Sequence, residues 1–91
     1  MLAGSPIRIL CLEDNLLDRE LTATMVANAG ITCTFTYAKT RAEFEAELSQ
    51  KFDLIISDFS LPSYDGMSAL AAARQAQPET PFIFLDRKSV V

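Results

Sequence analysis

The chain has 91 residues, 49% hydrophobic and 22% charged, with a net charge of −4 and an isoelectric point near 4.6. That length gives room for one domain with a modest core, and the apolar content is that of a globular domain rather than a disordered tail. The acidic balance argues against a surface for phosphate backbones, and with no histidine the chain contains no imidazole base, ligand or phosphohistidine donor.

Ile7 to Leu12 is a short apolar run with β-branched residues that ends on Glu13 and Asp14, a buried strand entering a polar loop. From Leu17 to Ala29 the residues Leu17, Leu21 and Met25 recur every fourth position, with Val26 and Ala29 beside them. This spacing predicts a helix with one apolar face, stopped by Gly30. Thr32 to Tyr37 alternates threonines with aromatics and is expected to form an edge strand. Thr40 and Glu43 form a capping-box pattern ahead of Phe44 and Leu48, predicting a second helix that runs to about Lys51.

Leu54 to Asp58 repeats the plan of the first strand, an apolar run ending on a carboxylate, and is expected to be central. After a turn-rich segment, Met67 to Gln77 is Ala-rich and predicts a third helix closed by Pro78. Pro81 to Leu85 predicts a fourth buried strand. The order βαβαβαβ calls for an α/β fold, a parallel sheet with right-handed crossovers and helices on both faces. Cys11 and Cys33 fall inside strands without C-x-x-C spacing and are expected to be buried free thiols. Met1 to Pro6 lacks a basic leader, and no run approaches the ~20 apolar residues that cross a bilayer. A cytoplasmic location without membrane contact is the expectation.

In an open parallel sheet the ligand crevice lies beyond the carboxyl ends of the strands. If the first and third strands are neighbours, ~4.8 Å apart, Glu13, Asp14 and Asp58 converge there. Two carboxylates 4 Å apart repel by about 4 kcal/mol at an effective dielectric near 20, so such a cluster binds a cation or holds a proton. Oxygen donors alone suit Mg²⁺, which keeps waters and leaves coordination sites for a phosphate. Taken singly, each acid reads equally as a solvated loop residue.

Leu12-Glu13-Asp14-Asn15, together with Asp58-Phe59-Ser60-Leu61-Pro62 and Asp65-Gly66, resembles response regulator receiver domains over about Ile7 to Leu85. The resemblance implies a flavodoxin-like doubly wound sheet, with Asp58 as phosphoacceptor. It also implies Mg²⁺ on Glu13, Asp14, Asp58 and the backbone carbonyl of Ser60. The implied partner is a histidine kinase or phosphotransfer protein, and Pro81 to Leu85 is similar to receivers joined to sensor kinases; a stand-alone regulator and part of a hybrid kinase are both open as the parent.

The chain departs from this family at its end. Asp86 stands where receivers carry Ser or Thr, and no lysine from a fifth strand follows. The expected architecture is therefore a receiver over residues 1–85 with strand order 2-1-3-4, lacking the fifth strand and last helices, and a tail at 86–91. An exposed fourth-strand edge would then offer a homodimer contact. Two readings follow from this sequence: a phosphoacceptor receiver that is not itself an enzyme, and a phosphorylation-silent module that signals by dimerisation. A dehalogenase-like phosphatase is set aside, because that pattern wants an aspartate at position 60 and Ser60 stands there.

Overall fold

The computed structural model describes residues 6–58 and 66–85, the side chains of Asp18, Asp58 and Leu85 excepted. Its elements run β1 (Ile7–Leu12), α1 (Leu16–Asn28), β2 (Cys33–Ala38), α2 (Arg41–Glu47), β3 (Leu54–Asp58), α3 (Gly66–Ala76) and β4 (Phe82–Leu85). The four strands form one parallel sheet in the order β2-β1-β3-β4, the expected flavodoxin-like arrangement with β2 at an edge and β3 inside.

Because side chains alternate along a strand, register divides the sheet into two faces. Thr36, Leu10, Ile55 and Phe82 form one row across the four strands, and Ala38, Leu12, Ser57 and Phe84 form the next on the same side. α2 and α3 cover this face. Leu10, Leu12, Phe44, Leu48, Phe52, Ile55, Ala69 and Ala73 pack there as the main core. Alanines on α3 let that helix approach closely, and Phe44 fills the space beneath α2 with no exposed surface.

Tyr37, Cys11, Ile56 and Ile83 make a row on the opposite face, where α1 lies against β2. Here one expectation is overturned. The Leu17, Leu21 and Met25 stripe is present on α1, but these residues are 64%, 45% and 52% exposed, whereas Thr22 is buried. The helix is rotated so that Arg19, Thr22, Ala23 and Val26 meet the sheet. A periodicity of four locates a stripe on a helix; it does not say which stripe the sheet receives.

Local signals explain most boundaries. Gly30 ends the α1 segment with φ of 80°, a conformation that costs a Cβ-bearing residue about 1 kcal/mol or more. Thr40 caps α2, its Oγ1 accepting from the Glu43 N–H at 3.2 Å. The Glu43 carboxylate reaches one residue further back than a standard capping box and accepts from the Lys39 N–H at 2.7 Å.

α2 stops at Glu47 rather than near Lys51; beyond it the chain tightens, with Ser49 N–H donating to Ala46 O and Gln50 N–H to Glu47 O, and two of the carbonyls that follow accept from Gln77. The Gln77 amide donates to Leu48 O at 3.1 Å and to Gln50 O, while its Oε1 accepts from the Phe52 N–H at 3.2 Å and the Thr80 hydroxyl at 3.0 Å. This one side chain joins the α2–β3 and α3–β4 connections at the amino end of the sheet. Of the cysteines, Cys11 is buried as expected, but Cys33 on the edge strand is only half-buried; both are free thiols.

Candidate functional site

The register of β1 and β3 positions the acids. Leu12 pairs with Ser57, so the next residue of each strand, Glu13 and Asp58, leaves the carboxyl end of the sheet at the same level. Three residues, Glu13, Asp14 and Asn15, then connect β1 to α1. Asp14 is exposed and lies just ahead of the first turn of α1, where the helix dipole favours negative charge.

Glu13 is 6% exposed, a degree of burial rare for a carboxylate. Its position is fixed by contacts on three sides. Its N–H donates to Ala38 O at 2.9 Å, extending the pairing with β2 one residue beyond the strand. Its Oε2 accepts from the Asn15 N–H at 3.1 Å, and its carbonyl accepts from Arg19 Nε at 3.0 Å. A carboxylate held this way, followed in the chain by Asp14 and level with a third acidic residue at the end of the neighbouring strand, is a hard oxygen donor of the kind Mg²⁺ takes.

The side chain of Asp58 and all of Ser60 lie outside the described residues, as do Asp86 and the 86–91 tail. Among the described residues, no group of three or more His, Cys, Asp or Glu is gathered at one point. Glu13 and Asp14 thus follow one another in the loop after β1, and the backbone of Asp58 lies at the adjacent strand end.

Arg19 and Tyr37 were not singled out from the sequence. The Arg19 guanidinium lies 4.7 Å over the Tyr37 ring while it bonds the Glu13 carbonyl, and Tyr37 stacks on Phe35 at 5.6 Å with the rings 5° from parallel. Burial pushes the Tyr37 phenol above its ordinary value; the nearby Cys11 thiol adds to the rise and Arg19 opposes it. The signal for Arg19 is its helical phase, three and seven residues before Thr22 and Val26, which becomes meaningful once the sheet-facing side of α1 is known.

A doubly wound parallel sheet with acids at the ends of its first and third strands is the framework of receiver domains, though not of them alone. Residues 9–90 match the response regulator receiver domain family, and the chain belongs to it. It is 32% identical over 83 residues to the transcriptional regulatory protein DltR of Streptococcus agalactiae, covering 91% of this chain and 37% of that protein. It is 33% identical over 79 residues to a protein-glutamate methylesterase/protein-glutamine glutaminase of Archaeoglobus fulgidus, covering 87% of this chain and 22% of that one.

The chain thus spans well under half the length of these relatives. Among solved structures, a response regulator from Hahella chejuensis superposes with a TM-score of 0.79 at 29% identity, covering 94% of this chain and 67% of that one. The chemotaxis response regulator CheY4 of Vibrio cholerae shares the fold, with a TM-score of 0.73 at 24% identity over 88% of this chain and 68% of that chain. The receiver of a two-component response regulator is therefore the assignment that sequence, fold and relatives share. Among the described residues, no helix is long and apolar enough to cross a membrane.

Proposed function

We propose that this domain is a phosphoacceptor, taking a phosphoryl group onto Asp58 from the phosphohistidine of a histidine kinase or phosphotransfer protein, with Mg²⁺ as cofactor. The observation that carries the reading is the buried carboxylate of Glu13, held at the end of β1 level with Asp58 at the end of β3. Mg²⁺ would be held by Glu13, Asp14, Asp58 and the Ser60 carbonyl, and when bound supplies positive charge to the phosphoryl oxygens.

In the transfer, a carboxylate oxygen of Asp58 forms a bond to phosphorus as the phosphorus–nitrogen bond of the donor breaks. The electron pair leaves with the imidazole, and an acyl phosphate remains on Asp58. The domain acts stoichiometrically, positioning an acceptor rather than turning over a substrate, and its net charge of −4 supports a protein partner over nucleic acid. A cytoplasmic location fits a donor kinase on that side of the membrane.

The test is incubation with acetyl phosphate, or with beryllofluoride, in the presence of Mg²⁺, followed by intact mass or amide NMR. A phosphoryl adduct lost in Asp58→Asn is expected; no Asp58-dependent product would remove the acceptor role.

A second reading is a phosphorylation-silent, receiver-like module that signals by dimerisation. Among the described residues, Leu17, Leu21 and Met25 on α1 and Ile83 on β4 are exposed apolar side chains. A second copy could cover such surface. Sedimentation across a hundredfold concentration range tests this reading: a monomer throughout is incompatible with the dimer.

A further inference from the structure

The connection carrying the acidic pair is short, and a basic residue from α1 reaches its main chain. Three residues separate β1 from α1, and a loop this close to two rigid elements is oriented by whatever grips its main chain. At Glu13 the main chain is gripped twice: its N–H donates to Ala38 O, and its carbonyl accepts from Arg19 Nε at 3.0 Å. Arg19 is itself braced: it sits half-buried on the sheet-facing side of α1, its guanidinium over the Tyr37 ring, which is stacked on Phe35 within β2. A chain of contacts therefore runs from the edge strand through Tyr37 and Arg19 to the backbone of Glu13.

We infer that Arg19 is a positioning residue for the cation-binding pair, clamping the Glu13 main chain against β2 so that the carboxylates of Glu13 and Asp14 are set before the cation arrives. The inference rests on the Mg²⁺ reading given above. Its chemistry requires arginine in particular. A planar guanidinium can lie flat on a phenol ring while an in-plane N–H points at a carbonyl; an ammonium has neither the flat face nor the fixed direction.

Two roles for the same side chain make opposite forecasts. If Arg19 acts through its charge, it repels a divalent cation, so Arg19→Gln tightens Mg²⁺ binding and Arg19→Lys leaves it unchanged. If it acts by position, both substitutions weaken binding, as removal of the groups that orient metal ligands generally does, by about tenfold or more.

The experiment is Mg²⁺ titration of the full chain, followed by calorimetry and amide NMR, for the native protein, Arg19→Lys, Arg19→Gln, Tyr37→Phe and Arg41→Ala. A second readout needs no metal: hydrogen exchange at the Asn15 amide, which donates to Glu13 Oε2. Position predicts affinity weaker by about tenfold in both Arg19 variants, with faster Asn15 exchange. Tyr37→Phe stays near native because a ring remains beneath the guanidinium. Arg41→Ala, removing an exposed partner of Glu45, changes nothing at the site.

Native affinity or native Asn15 exchange in Arg19→Lys overturns the inference while leaving the Mg²⁺ reading intact, and so does tighter binding by Arg19→Gln. Absence of saturable Mg²⁺ binding by the native chain overturns both. Melting of each variant by circular dichroism confirms that a folded domain is being compared.

Discussion

Leu12 of β1 and Ser57 of β3 are register partners, and each is followed by a carboxylic acid, Glu13 and Asp58. Parallel pairing thereby delivers two acids from positions 45 residues apart in the chain to one edge of one sheet. A one-residue slip of β3 would send Ile55 and Ser57 to the α1 face and break the main core, so the packing of Leu10 and Ile55 enforces the alignment of the acids.

Replacing Glu13 by Gln keeps an oxygen able to accept from the Asn15 N–H but removes the charge. The fold is expected to persist, with Mg²⁺ affinity reduced by at least about tenfold. Calorimetric titration alongside thermal melting checks both halves of the statement.

Gln77→Ala removes an amide that serves four main-chain and side-chain partners across two connections. A net value near 1 kcal/mol per bond, with groups left partly unsatisfied, gives an expected loss of about 2–4 kcal/mol. Gln77→Glu retains the acceptor and loses the donor to Leu48 O and Gln50 O, so it too is destabilised. Urea unfolding of the two variants measures this, and a midpoint unchanged in both would contradict it.

At the α2 cap, Thr40→Ala is expected to cost about 1 kcal/mol. For a domain of this size that is a fall of roughly 4–8 °C in Tm. Thr40→Ser should restore most of it, because the Oγ that accepts from Glu43 remains.

The Tyr37 phenol, pushed up from its ordinary value of 10.0 by burial, links stability to alkaline pH. The folded state holds this proton more tightly than the unfolded state. The stabilisation is therefore complete below about pH 10 and is lost as pH rises through the folded-state value. Tyr37→Phe should flatten the fall in Tm above about pH 10; an identical slope in the variant would assign it to other groups.

The exposed stripe on α1 separates a buried from an apolar residue. Leu21→Ala is expected to change stability by less than about 0.5 kcal/mol, since Leu21 already meets water. Phe44→Ala, at a site with no exposure, should cost about 3–5 kcal/mol. Chemical denaturation compares them directly.

Much of this architecture is legible in linear order. Apolar runs ending in acids marked β1 and β3 with their observed bounds, and Thr40, Gly30 and Pro78 marked helix ends, because strand burial, capping and backbone torsion are local effects. The tie from Gln77 to the carbonyls of Leu48 and Gln50 was not legible, since it joins residues almost thirty positions apart in the chain. Nor was the burial of Thr22 in place of Leu21, which depends on how α1 is rotated against the sheet.

Local chemistry thus specified the acidic residues and their strand-end positions. The order 2-1-3-4 expected from the sequence already made β1 and β3 neighbours, and the register set Glu13 and Asp58 level; the clamp of Arg19 between Glu13 and Tyr37 came from three-dimensional packing alone. Strand register and helix rotation are set by which side chains fill the core together, and that is a property of pairs distant in sequence.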